Sequence, residues 1–314
     1  MSKERIAIIG GGKMGVGIGQ LFATKGHEVK IVYVGNDMER GDSAINMEAN
    51  LNFLAANDVI KKEDIPDIMG RVTYTPDIED IADFADIVFE AIVENLQVKQ
   101  EMFKKLDEIC PPETVLASNT SALSITMIGE KAVHKDRIIG THFWNPAYLI
   151  PLVEVVKTVH VSEETVNKTY NALKEAGKHP VVVEKDVPGF LANRLQHCLF
   201  REAISIVEHG IASPAAVDEA IKYGFGMRLG IMAPFEVMDS CGLDMTKAIH
   251  EFVFPDIEDT HEVQKLVTDN IEAGRLGFKT DGHGIQDWTP EQMKESTEQL
   301  NVKLIKVAKA LDRI

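Results

Sequence analysis

Two residues able to share a proton, His142 and Glu154, stand twelve positions apart, one inside Thr141-His142-Phe143-Trp144-Asn145-Pro146 and the other closing Pro151-Leu152-Val153-Glu154. An imidazole oriented and charged by a carboxylate takes a proton from an alcohol oxygen or returns one, which makes the pair a candidate general acid/base. Spacing alone does not decide this, because a buried loop histidine and a strand-end glutamate would read the same. Upstream, Ser118-Asn119-Thr120-Ser121 follows a β-branched run and offers either a turn with a helix cap or a set of donors for a substrate oxygen. Near the start, Gly10-Gly11-Gly12-Lys13-Met14-Gly15 is a G-x-G-x-x-G directly after an apolar run and opening a helical segment. In that setting Gly10 permits the tight turn, Gly12 lets the backbone approach a pyrophosphate, and Gly15 lets helix and strand pack closely. The helix N-terminus then presents free N–H groups and partial positive charge to the phosphates. The motif points to a dinucleotide.

One part of that fingerprint departs from its usual form. An acidic residue is expected about 20 positions further on, at the end of the second strand, to bind the ribose 2′-hydroxyl. In Val29-Lys30-Ile31-Val32-Tyr33-Val34 the place is held by Tyr33. A tyrosine can donate to the ribose but does not repel a 2′-phosphate. No arginine follows directly, since Arg40 comes seven residues later, and Asp37 can substitute from the loop. The reading is NAD, with NADP left open by Tyr33.

The elements that must position these groups follow from periodicity. Ile6–Ile9, Val29–Val34, Asp86–Ala91, Thr114–Ala117, Arg137–Thr141 and Pro180–Glu184 read as strands. Helical stretches lie between them, at Met14–Lys25, at Met38 to Asn57 and at Gln97–Ile109. Strands separated by helices imply right-handed crossovers and a parallel sheet. From Phe190 onward apolar residues recur at three- and four-residue spacing, as in Leu195, Leu199, Ala203, Ile206 and Val207, and β-branched runs nearly vanish. The expected fold is therefore α/β, a Rossmann-type doubly wound parallel sheet with an all-helical C-terminal domain. Residues 1–187 would form the dinucleotide-binding domain, with a helical arm around 38–65, and residues 188–314 the helical one.

Composition removes whole classes of function. Among 314 residues, 33 Lys and Arg against 49 Asp and Glu give a net charge of −16 with no basic run, which argues against nucleic acid. No apolar stretch is long enough for a transmembrane helix. Met1-Ser2-Lys3-Glu4-Arg5 runs straight into a strand, which argues against a signal peptide. Cys110, Cys198 and Cys241 are scattered, which argues against a disulfide framework or a zinc site and for the cytoplasm.

Taken together, the motifs resemble the 3-hydroxyacyl-CoA dehydrogenase family over nearly the whole chain. The likeness rests on the Gly10–Gly15 loop, Glu90-Ala91-Ile92-Val93-Glu94-Asn95, Ser118–Ser121, His142–Pro146, Leu152-Val153-Glu154 and Asp186-Val187-Pro188-Gly189-Phe190 with Asn193-Arg194. Ala233-Pro234-Phe235-Glu236 with Asp239, and Gly242-Leu243-Asp244, match the second domain. The resemblance implies that His142 is the catalytic acid/base and Glu154 its partner, that Ser121 and Asn193 hold the substrate oxygen, and that Glu94, Lys99, Asn145 and Lys279 approach the nicotinamide half of NAD. It also implies a homodimer.

The substrate is where the likeness divides. Relatives acting on CoA thioesters carry a Ser and a Lys on the helix after the second strand. The equivalent places here fall near Asn50 and Asn57, in a segment with Asp42, Glu48 and Asp58 and no Lys or Arg until Lys61-Lys62. Such a helix repels CoA phosphates. The segments Asn145–Glu154 and Gly226-Met227-Arg228-Leu229-Gly230 resemble the branch acting on small free hydroxy acids, which includes gulonate, carnitine and pyridine-carboxylate dehydrogenases. Arg228 would clamp a free carboxylate there, or else form a structural ion pair between domains. Both substrates, a 3-hydroxyacyl-CoA such as 3-hydroxybutyryl-CoA and a small 3-hydroxy acid, remain open. The branch also contains crystallin relatives, so a non-catalytic dinucleotide-binding structural protein is the alternative. Retention of His142, Glu154, Ser121 and Asn193 together argues against it.

Overall fold

A computed structural model of the chain describes residues 3–33 and 37–314, and for residues 37–40 it describes the backbone only. The expected end of the second strand at Val34, and the side chains of Asp37 and Arg40, lie outside the described residues. The chain divides into two compact units, Met1–Ala192 (with Ile314) and Asn193–Arg313.

The first unit is built on one eight-stranded sheet in the order β3-β2-β1-β4-β5-β6-β7-β8. The strands are β1 Ile6–Ile9, β2 Val29–Val32, β3 Val72–Thr75, β4 Ile87–Glu90, β5 Val115–Ser118, β6 Ile138–Phe143, β7 Leu152–Val156 and β8 His179–Val183. Both faces are covered, so successive residues of one strand enter different cores. Ile6 and Ile8 pack with Phe22, Ile31 and Phe89 on one face, while Ala7 and Ile9 pack with Val88, Phe103 and Leu116 on the other. That is why these strands read as continuous apolar runs without alternation.

All neighbouring strands are parallel except β6 and β7, which run antiparallel. The sheet is thus the parallel, doubly wound one expected, and its single antiparallel pair has a physical reason. Only residues 144–151 join Phe143 to Leu152, and a parallel crossover needs a dozen residues or more. The chain has to turn back on itself. Neither β3 nor β7 was among the expected strands, and β7 is the consequential one.

Helix α1, Lys13–Thr24, follows β1 and helix α2, Asp37–Ala56, follows β2. The helical arm continues through a short turn at Lys62–Asp64 and a helix at Ile65–Gly70. Ser43 on α2 is buried and its hydroxyl donates to the Gly11 carbonyl at 2.7 Å, tying α2 to the glycine loop.

The second unit contains the helices Ala192–Glu208, Pro214–Tyr223, Phe225–Leu229, Pro234–Cys241, Leu243–Val253, Lys265–Glu272 and Pro290–Ala310, and no strand among the described residues. It leaves large apolar side chains exposed, among them Met227, Ile231, Phe235 and Phe252, the last at 89%. Among the described residues no helix is long and apolar enough to cross a membrane.

Candidate active site

The antiparallel register of β6 and β7 sets His142 directly opposite Glu154. Their side chains meet, with Nδ1 of His142 2.7 Å from Oε2 of Glu154. A carboxylate only accepts, so Nδ1 carries the hydrogen, and the neutral ring keeps Nε2 as an acceptor. Nε2 lies 3.2 Å from the Ser121 hydroxyl. The side chains of Ser121 and Glu154 thus converge on the imidazole of His142.

Glu154 is wholly buried and every oxygen is used. Oε2 also accepts from the Trp144 indole at 3.4 Å, and Oε1 accepts the backbone N–H groups of Leu191 and Ala192, each at 2.9 Å. Those amides are aimed by a turn in which Gly189 and Phe190 both take positive φ, 73° and 49°, just before helix Ala192–Glu208. The helix start adds its partial positive charge. Burial alone would raise the Glu154 pKa, but the His142 hydrogen bond, the two amides and the imidazole charge hold it below the ordinary carboxylate value. The carboxylate is therefore ionised and able to stabilise an imidazolium. The Phe190 ring, 2% exposed, lies 5.7 Å from that of His142 and shields one side of it.

Ser121 belongs to a turn gathered by a second carboxylate. Oε1 of Glu94 accepts the Thr120 hydroxyl, the Ser121 amide at 3.1 Å and the Ala122 amide at 3.3 Å. Burial would raise the Glu94 pKa, but the Thr120 hydroxyl and the Lys99 charge keep it lowered. Oε2 of Glu94 lies 3.3 Å from Nζ of Lys99, whose closer partner is Oε1 of Glu90 at 2.6 Å. The Asn119 side chain accepts the Phe143 amide at 2.9 Å, fastening the end of β5 to the end of β6.

The glycine loop has the shape that a dinucleotide requires. Gly10 sits at φ 113°, and a Cβ there would lie 2.6 Å from the Ala91 carbonyl. At Gly15 a Cβ would lie 1.9 Å from the Gly10 carbonyl, so only glycine lets α1 seat on β1. Gly12, by contrast, faces open space at the start of α1, with no side-chain cap and no acidic residue in the first turn. Backbone N–H groups there are left for an anion. Lys13 is exposed and Met14 half-buried on the same turn, while Tyr33 directly follows β2 and is 5% exposed.

Asn145 is exposed in the β6–β7 connection. Asn193, Arg228 and Lys279 belong to the second unit. Asn193 is half-buried in the first turn of helix Ala192–Glu208; Arg228 is exposed in Phe225–Leu229; Lys279 is exposed beside a cleft of about 540 Å³ that Ile204, Leu266 and Trp288 also line. Among the described residues of its own unit, Arg228 has no carboxylate within ion-pair distance.

Several contributors were not singled out from sequence: Glu90, Trp144, the Leu191 and Ala192 amides, and Lys178. Lys178 is buried and donates to the carbonyls of Ala147 and Ile150 at 2.5 and 2.7 Å, closing the connection that carries Asn145. Burial pushes its pKa down to about 7 from 10.5. Between those values the unfolded chain is protonated and the folded one is not, so stability rises with pH across that window and is lost as pH falls toward 7. Urea unfolding at pH 7 and 9 is expected to show wild type gaining on Lys178→Met by up to about 1.4 kcal/mol per pH unit, the linkage of one proton. Parallel pH dependences in the two proteins would show that Lys178 stays charged.

Comparisons with known proteins agree with this arrangement. The family model for the 3-hydroxyacyl-CoA dehydrogenase NAD binding domain matches residues 5–187, and that for the 3-hydroxyacyl-CoA dehydrogenase C-terminal domain matches 189–288. The chain is 32% identical to 5-formyl-3-hydroxy-2-methylpyridine 4-carboxylate 5-dehydrogenase of Mesorhizobium japonicum over 98% of both chains. It is 38% identical to the mitochondrial hydroxyacyl-coenzyme A dehydrogenase of Sus scrofa, over 88% of this chain and 89% of that one. A crystal structure described as the 5-formyl-3-hydroxy-2-methylpyridine 4-carboxylic acid 5-dehydrogenase, an NAD+ dependent dismutase, superposes with a TM-score of 0.88 over 99% of each chain at 30% identity. The cofactor is NAD. With both domain models matched in order along the chain, this protein belongs to the 3-hydroxyacyl-CoA dehydrogenase family.

Proposed function

We propose that the chain reversibly oxidises a secondary 3-hydroxyl to a 3-keto group, with His142 as the acid/base. The observation that carries this reading is the imidazole held between an ionised, buried carboxylate at 2.7 Å and a serine hydroxyl at 3.2 Å. NAD, when bound, supplies the hydride acceptor or donor. The chain's own residues do the rest. Ser121 Oγ and His142 Nε2 hold the substrate oxygen, with Asn193 as a further donor. In oxidation Nε2 takes the hydroxyl proton and Glu154 stabilises the imidazolium; in reduction the imidazolium returns it. Glu94, Asn145 and Lys279 are assigned to the nicotinamide half of the cofactor.

The substrate favoured is a small free hydroxy acid, its carboxylate taken by Arg228. Three observations support this. The Arg228 guanidinium has no carboxylate partner among the described residues of its unit. Residues 41–56 of α2 hold Asp42 and Glu48 and no cation. The likeness to the pyridine-carboxylate enzyme covers 98% of the chain in sequence and 99% in structure, and so runs past residue 288, where the match to the C-terminal domain model stops. The 38% identity to a hydroxyacyl-CoA dehydrogenase keeps a 3-hydroxyacyl-CoA as the second reading. Rates with 3-hydroxybutyryl-CoA and with free 3-hydroxy acids decide between them. For a free acid, Arg228→Ala is expected to raise KM about tenfold or more with kcat little changed, the loss of one charge-assisted contact. Unchanged KM would remove Arg228 from the site. NAD binding without turnover of any 3-hydroxy compound would favour the structural-protein alternative. The exposed apolar side chains Phe235 and Phe252 support a homodimer formed through the helical unit.

A further inference from the structure

Residues 144–151 carry the chain from β6 to β7, and connections of this kind are the mobile parts of a fold unless packing fixes them. This one is held in three ways. Within it, the Pro146 carbonyl accepts the amides of Leu149 and Ile150, each at 3.0 Å. Against α1, Ala147 is buried over Gly17, where an added Cβ would lie 3.2 Å from the Ala147 methyl and 3.6 Å from the Tyr148 ring. The third hold is Lys178, which stands between helix Glu163–Glu175 and β8. Its own backbone is fixed, its N–H donating to the Leu173 carbonyl at 2.9 Å and that of His179 to the Pro151 carbonyl at 2.9 Å. The side chain is 7% exposed and reaches the carbonyls of Ala147 and Ile150. A neutral amine has two hydrogens to give and an ammonium three, so either form serves both carbonyls. Buried lysines ordinarily face a carboxylate. Here no acidic group among the described residues offsets the burial, and the amine is spent on the two ends of one turn. That turn begins two residues after Asn145, which is exposed.

We infer that Lys178 is a positioning residue for the nicotinamide half of the cofactor. It clips both ends of the Ala147–Ile150 turn to the start of β8, while Gly17 admits the turn against α1, and so it fixes where the exposed Asn145 side chain stands. Nothing in the clip touches the Gly10–Gly15 loop, whose seating is set by Gly15 on β1. Loss of the clip is therefore felt at one half of the dinucleotide and not at the other. The inference rests on the assignment of Asn145 to the nicotinamide half.

Calorimetric titration with NAD and with ADP-ribose, which lacks the nicotinamide, separates the two halves. Lys178→Met keeps the apolar stem and removes the donors. The Kd for NAD is expected to rise about fivefold to tenfold, the size of one lost contact, while that for ADP-ribose stays within about twofold. Asn145→Ala is expected to show the same split. In the Lys178→Met background it should cost little further, because the Asn145 amide is already out of place. An NAD Kd unchanged by Lys178→Met, equal losses for NAD and ADP-ribose, or losses that multiply across the two sites would each overturn the inference. If Lys178→Met does not fold, Lys178→Gln, whose shorter amide serves one carbonyl, is read by the same criteria. An Asn145→Ala protein that binds NAD as wild type does would remove the cofactor role of Asn145, and the inference with it. A split in Asn145→Ala with none in the Lys178 variant defeats the inference alone.

Discussion

His142→Ala lowers kcat at least about a hundredfold, the contribution of a positioned acid/base, and leaves the Kd for NAD within about twofold. The fold should survive the change. Removing the imidazole leaves Glu154 with the Trp144 indole and the amides of Leu191 and Ala192, so its carboxylate is not stranded. The dinucleotide loop at Gly10–Gly15 lies on other elements and keeps its shape. Stopped-flow or steady-state turnover together with NAD titration by tryptophan fluorescence checks both halves. Near-normal turnover in this variant would sink the mechanism, whatever the substrate.

The second large effect concerns a single methyl group. In Gly15→Ala the added carbon would sit 1.9 Å from the Gly10 carbonyl oxygen and 3.1 Å from the Ile8 side chain. The first obstacle is backbone, so no change of rotamer relieves it and α1 must move off β1. We expect a loss of about 3 kcal/mol or more in stability, the upper range for overpacking, and at least about a hundredfold weaker NAD binding. Gly12→Ala is the informative control. Its methyl meets nothing within 4 Å in the protein, so the melting temperature should hold while NAD affinity falls. Equal melting temperatures for wild type and Gly15→Ala would contradict the close seating of helix on strand.

Much of the fold was legible because its signals are local. Ile6–Ile9 ended by Gly10, and the helix that follows, report themselves within the continuous stretch from Ile6 to Thr24. The strand β7 did not, because Leu152-Val153-Glu154-Val155-Val156 carries a charge in its middle and a charge ordinarily marks an end. Glu154 is inside only because four donors meet it there, from His142, Trp144, Leu191 and Ala192, and the last two are far away in sequence. The same holds for Glu90 and Lys99, a pair whose burial no spacing announces. The twelve-residue interval between His142 and Glu154 carried no meaning until the two strands were known to be antiparallel. Asn193, Arg228 and Lys279 were reached through resemblance alone, and each lies in the helical unit. Positive φ at Phe190 was hidden as well, since only Gly189 beside it is of a type that suggests such a turn.

The way His142 finds its partner has a consequence for how such a protein can change. Pairing between β6 and β7 fixes the two side chains rung against rung, and the ladder does not measure the length of residues 144–151 between them. A slip of one residue would turn either side chain to the opposite face and end the contact. Insertions, deletions or substitutions in the connection that respect the ladder would leave it intact. The contact between imidazole and carboxylate is thereby a property of strand pairing alone, and it tolerates change in the length of the connection as long as the register of the two strands is kept.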